Sequence, residues 1–108
     1  MSDRMKGPEN SHLRVGTPCR VNVRLFKNPQ TGVQWANVRV HSGRKPDLCR
    51  EGNVQIQGST TEITRKVGWL AGGIAETLCE DYGDSVEPSE ISRLAVECYE
   101  EGWKEVHG

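Results

Sequence analysis

Between Cys19 and His41 the chain alternates apolar and polar positions twice, on either side of the turn-forming segment NPQTG. In the first run Val21, Val23 and Leu25 share one side, while Arg20, Asn22, Arg24 and Phe26 share the other. In the second, Ala36, Val38 and Val40 oppose Trp35, Asn37, Arg39 and His41. Side chains alternate sides along a strand, so this period predicts a β-hairpin with one greasy and one polar face. Opposed residues must share a face, which sets the register. Leu25 is expected to pair with Ala36, Val23 with Val38 and Val21 with Val40. Phe26 then faces Trp35, Arg24 faces Asn37, Asn22 faces Arg39 and Arg20 faces His41. Residues 29–32 remain as the loop, where Pro29 presets φ early and Gly32 supplies a positive φ late.

The same pattern recurs once more. Val54 and Ile56 alternate with Asn53, Gln55 and Gln57, predicting a third short strand over 53–57. The intervening SGRKPDLCREG, residues 42–52, has glycine near both ends and a central proline, so a basic loop is expected there. Residues 13–18 lead into the hairpin and offer a fourth strand segment. Residues 1–12 are polar, without periodicity, and are expected to form a flexible arm.

After Gly58 the period changes to that of a helix. Ser59 followed by Glu62 fits a capping box, and Ile63, Val67, Leu70, Ile74 and Leu78 form one stripe. Gly68, Gly72, Ala75 and Cys79 make a neighbouring strip of small residues. They predict either close packing on the second helix or a break at Gly72–Gly73. Gly83 ends this helix over 59–83. Pro88 opens a second over 87–106, with Ile91, Leu94, Ala95, Cys98, Gly102 and Val106 inward, widened by Tyr99 and Trp103. Trp69 falls on the outer side of the first helix, as a protein contact would. The expected fold is a small two-layer α+β domain. A three- or four-stranded antiparallel sheet (13–58) is followed by an antiparallel helix pair packed on one of its faces.

Composition changes this picture in one respect. The content is 34% apolar and 27% charged, that of an ordinary globular domain of 108 residues. No apolar run approaches the ~20 residues of a membrane span and no signal-peptide core is visible, so no membrane contact and a cytoplasmic location are expected. The net charge of -1, however, hides an asymmetry. Residues 1–72 carry 12 Lys/Arg and 5 Asp/Glu, whereas 73–108 carry 2 and 10. Either the halves neutralise each other or one of them meets a charged partner.

The outward face of the sheet is where chemistry concentrates. No acidic residue occupies any of its eleven expected positions. Guanidinium and amide groups suit phosphates and base edges, and aromatic rings stack on bases. The candidate ligand-binding set is therefore Arg20, Asn22, Arg24, Phe26, Trp35, Asn37, Arg39, His41 and Gln55, joined by Arg44, Lys45 and Arg50 from the basic loop. The expected function is non-enzymatic binding of nucleic acid or a nucleotide. The double substitution Arg24→Ala, Arg39→Ala is expected to lower the salt dependence by about two phosphate contacts. A second reading is a protein-binding adaptor or inhibitor of the phage or mobile-element type, by analogy of size and charge. It would meet a host protein through its acidic helices and Trp69, with the sheet buried in a homo-oligomer. A homodimer is expected in either case, because a small sheet has free edges.

Catalytic and metal chemistry find little support. Cys19, Cys49, Cys79 and Cys98 contain no C-x-x-C pair, and packed free thiols are expected. His41 with Cys49 is the nearest approach to a base and a nucleophile, with no third group to orient them. No catalytic residue, metal or cofactor is assigned. The β-β-β-α-α order also differs from that of a double-stranded RNA domain, which begins with a helix, and from the four-stranded RNA-recognition sheet.

Overall fold

The computed structural model describes residues 19–45 and 47–107. The expected arm, the 13–18 segment and Pro46 lie outside them. Within them the chain runs β1 (Arg20–Lys27), β2 (Gln34–His41), β3 (Cys49–Gln55), α1 (Thr60–Tyr82) and α2 (Pro88–His107). The strands form one antiparallel sheet in the order β1-β2-β3, and both helices pack on the same side of it, giving a small α+β domain.

The hairpin takes the register that its alternation demands. Val21 opposes Val40, Val23 opposes Val38 and Leu25 opposes Ala36, while Phe26 opposes Trp35. Its turn is closed by Asn28 N–H donating to the Val33 carbonyl at 2.8 Å and Gly32 N–H donating to the Asn28 carbonyl at 2.7 Å. The Asn28 side chain accepts from Gln30 N–H at 2.8 Å, and Gly32 has φ +76°.

The third strand departs from expectation. It begins at Cys49, inside the expected loop, and ends at Gln55 rather than Gln57. Residues 49–52 pair with β2 although their sequence, CREG, shows no apolar alternation. The helix layer supplies what the strand lacks. Gly52 faces inward opposite Val38, and Leu70 of α1 lies over it, so close that a Cβ on Gly52 would stand 2.9 Å from Leu70 Cδ1. Arg50, inward opposite Val40, reaches past the core edge to Asp81 at 2.8 Å and stacks over Tyr82.

Both ends of α1 follow local rules. Ser59 and Glu62 exchange the two hydrogen bonds of a capping box, and Gly83 caps the other end in the left-handed region at φ 73°. The helix is continuous through Gly72 and Gly73, so the small residues serve packing and not a break. Val96 and Ser92 of α2 lie against Gly68, and Ser92 Oγ donates to the Gly68 carbonyl at 2.7 Å. Pro88 and Ser92 crowd Gly72. The pairings of 72 with 88 and of 68 with 96 make the two helices antiparallel.

The core lies between the layers. Val21, Val23, Ala36, Val38, Val40 and Val54 meet Ile63, Val67, Ala71, Ile74 and Leu78 of α1, and Ile91, Leu94, Ala95, Cys98 and Tyr99 of α2. Val106, expected inward, is 62% exposed. Gly102 already sits over Leu25 near the end of β1, so the next turn of α2 overhangs the sheet. Among the described residues no helix is long and apolar enough to cross a membrane.

Candidate nucleic-acid interface

Both helices occupy one side of the sheet, and no described element covers the other. The two registers arrange this open face in four cross-strand rows. From one end these are Arg20–His41–Cys49, Asn22–Arg39–Glu51, Arg24–Asn37–Asn53 and Phe26–Trp35–Gln55. At a strand rise of about 3.3 Å per residue, the face runs about 20 Å from the Arg20 row to the aromatic row.

Two of these residues were not anticipated. Because β3 starts early, Cys49 and Glu51 join the open face, which therefore does carry an acidic group. The expectation of a face without acid fails for a simple reason: residues 49–52 look like a loop because their inward positions are Arg50 and Gly52. Glu51 is firmly engaged. Its Oε1 accepts from Arg39 Nη2 at 3.0 Å, Arg39 Nε at 3.2 Å and Asn37 Nδ2 at 3.2 Å. Asn37 Nδ2 also donates to Asn53 Oδ1 at 3.0 Å. The Asn37 hydrogen bond, then those of Arg39 and its charge, hold the Glu51 carboxyl below its ordinary pKa.

The consequence is a face of two characters. On the β2–β3 side, Arg39, Asn37, Glu51 and Asn53 satisfy one another. On the β1 side, Arg20 and Arg24 are exposed and make no ion pair among the described residues. Next to them stands the aromatic pair, with Phe26 40% exposed and Trp35 half-buried. Gln55 is exposed beside Trp35.

The loop residues divide. Arg44 and Lys45 are exposed at the end of the sheet that carries the Arg20 row. Their backbone is pinned by Asp84, 5% exposed, whose carboxylate accepts from Ser42 Oγ at 2.8 Å and Arg44 N–H at 2.9 Å. Lys45 N–H in turn donates to Ser42 Oγ at 3.0 Å. No sequence signal marks Asp84, a single acid in a short connection. Arg50 is separated from the rest: it projects to the helix side and is occupied by Asp81 and Tyr82. The charge asymmetry of the two halves is thus partly neutralised internally, at Arg50–Asp81.

His41 and Cys49 do come together, as directly opposed residues. Cys49 is exposed, unlike Cys19 and Cys98, which are buried, and Cys79, which is half-buried. Among the described residues no three His, Cys, Asp or Glu side chains are grouped to hold a metal ion. Trp69 is 78% exposed on the outer side of α1, remote from the open sheet face. No family model matches the chain, and no similar curated protein or solved structure was found.

Proposed function

We propose that this is a cytoplasmic, non-enzymatic protein that binds nucleic acid on the open face of its sheet, centred on β1 and its pairing with β2. The observation that carries the reading is the combination on β1 of two arginines that make no ion pair among the described residues, Arg20 and Arg24, running into Phe26 and its β2 partner Trp35. Cations track the phosphate backbone, and a base laid on the aromatic row gains stacking that tolerates any sequence. Asn22, between the two arginines, and Gln55, beside Trp35, offer hydrogen bonds to sugars and base edges. Arg44 and Lys45 extend the cationic track beyond the Arg20 end, on a loop that Asp84 holds in place.

Arg39 plays a lesser part than its sequence position suggests. Its charge is already matched by Glu51, so it releases fewer counterions on binding. The test is a fluorescence-anisotropy titration with a labelled single-stranded oligonucleotide at several salt concentrations. Each phosphate contact contributes about 0.7 to the salt slope for a single strand. Arg20→Ala with Arg24→Ala is therefore expected to lower the slope by about 1.4, and Arg39→Ala by less than half of that. A double variant that binds as tightly as the original chain, with the same slope, rejects the site.

A further inference from the structure

The outer face of α1 is complementary to itself. Glu62, Arg65, Lys66, Trp69, Gly73, Glu76 and Glu80 are all exposed and recur at helical spacing along one side, away from the buried stripe. Glu62 is occupied by the capping box. The remaining charges segregate: Arg65 and Lys66 precede Trp69, and Glu76 and Glu80 follow Gly73. Counting Glu62, the first half is net +1 and the second net -2. Three other cations of the fold are matched: Arg39 pairs with Glu51, Arg50 with Asp81, and Arg93 with Glu90 and Glu97. Arg65, Lys66, Glu76 and Glu80 make no ion pair among the described residues.

The spacing has a centre. Lys66 and Glu80 stand seven residues on either side of Gly73. At 1.5 Å per residue each lies about 10 Å along the axis from it. A Cβ on Gly73 would have nothing within 4 Å, so the helix backbone is open to approach at this point. A two-fold axis through Gly73 lays a second α1 antiparallel on the first and brings Lys66 of each copy to Glu80 of the other. Beside the axis, Trp69, Gly72, Gly73, Glu76, Pro88, Ser89 and Ser92 line a concavity of about 420 Å³. The second copy's tryptophan lies along its Gly73–Glu76 rim.

We infer that the chain self-associates through α1 as an antiparallel, two-fold dimer, with Gly73 on the axis, Trp69 as the apolar anchor and Lys66–Glu80 pairs at the ends. An isologous interface requires one patch to complement itself under a two-fold rotation, and this one does in charge. The arrangement differs from a dimer through the sheet. It puts the helix layers back to back and leaves both open sheet faces outward.

The test is sedimentation velocity on the full chain from about 1 to about 300 µM, the range in which a small, partly polar interface associates. The unaltered chain is expected to pass from monomer to dimer. Lys66→Glu and Glu80→Lys, each placing like charges together, weaken dimerisation about tenfold or more, and Trp69→Ala weakens it as well. Combining Lys66→Glu with Glu80→Lys in one chain restores opposite charges at both ends and recovers affinity to within about threefold. All of these positions are exposed, so unchanged circular dichroism accompanies each variant. A chain that stays monomeric throughout, a dimer indifferent to Lys66→Glu and Trp69→Ala, or a double swap no tighter than the single ones overturns the proposal.

Discussion

Gly72 and Gly73 are adjacent in α1, and the same substitution is expected to have opposite effects at the two. Alanine in place of glycine in a helix interior gains about 1 kcal/mol from propensity alone. At Gly73 nothing opposes that gain, since a Cβ there meets open space. Gly73→Ala should therefore stabilise the fold by about 1 kcal/mol. At Gly72 a Cβ would stand 2.5 Å from Ser92 Oγ and 3.5 Å from the Pro88 carbonyl of α2. Ser92 Oγ cannot yield freely, because it donates to the Gly68 carbonyl at 2.7 Å. Rotating it away forfeits a hydrogen bond worth about 1 kcal/mol, and keeping it forces the helices apart at an overpacking cost of about 1–3 kcal/mol. Less the propensity gain, Gly72→Ala should show no gain and lose up to about 2 kcal/mol. The two variants then differ by about 1–3 kcal/mol, or roughly 4–15 °C in Tm for a domain of this size. The assay is urea unfolding followed by tryptophan fluorescence, at about 0.5 µM protein so that self-association through α1 does not enter. A double-mutant cycle isolates the cause. In a Ser92→Ala background the clash is gone, and Gly72→Ala should become neutral or stabilising. The reasoning is refuted if both glycine variants shift stability in the same direction, or if Ser92→Ala leaves the Gly72 cost unchanged.

Three further expectations rest on other parts of the molecule. Asp84→Ala removes the acceptor for Ser42 Oγ–H and Arg44 N–H. It should lower stability by about 2–3 kcal/mol in the same urea assay, and a loss below about 0.5 kcal/mol would show that the loop is held otherwise. Burial pushes the Cys19 thiol up to about 11, from 9.0 in an unfolded chain. Its contribution is complete below pH 9 and is lost as pH rises through 11. The original chain should therefore lose on the order of 2 kcal/mol more than Cys19→Ala between those limits in pH-dependent thermal melts, and equal slopes would contradict this. Glu51→Gln frees the Arg39 charge, so oligonucleotide binding should tighten and its salt slope steepen by up to about 0.7; an unchanged titration would place the Asn22–Arg39–Glu51 row outside the site.

How much of this was legible in the sequence varied with the physics of each element. The hairpin register was readable because a slip by one residue would bury three arginines and expose the valines. The ends of α1 were readable because Ser59, Glu62 and Gly83 act locally, through hydrogen bonds and one positive φ. The contact of Gly68 and Gly72 with α2 was legible too, since small residues on one strip have few other uses. The start of β3 was not. Its inward residues are Arg50 and Gly52, and the apolar group filling that part of the core, Leu70, comes from another element. Missing that start hid Glu51, and with it the division of the open face into a satisfied half and a half whose arginines make no ion pair among the described residues. It also put Arg50 in the binding set when its side chain faces the helices. Val106 was misjudged because periodicity gives a helix's inner side but not where the sheet beneath it stops. The Asp84 anchor and the self-complementary face of α1 needed three-dimensional placement: one depends on two segments 40 residues apart meeting, the other on knowing which charges lack partners.

The three tryptophans lie on three different surfaces: Trp35 on the open sheet face, Trp69 on the outer side of α1 and Trp103 near the end of α2. Each indole N–H gives its own nuclear magnetic resonance signal. Titrating a short single-stranded oligonucleotide into the ¹⁵N-labelled chain at low salt therefore asks directly where nucleic acid sits. The open-face account predicts that the Trp35 signal moves, together with the side-chain amides of Asn22 and Gln55 and the Nε–H of Arg24, while Trp69 stays in place. A Trp35 signal that does not move at saturating oligonucleotide, or shifts confined to Trp69 and the helices, would contradict it.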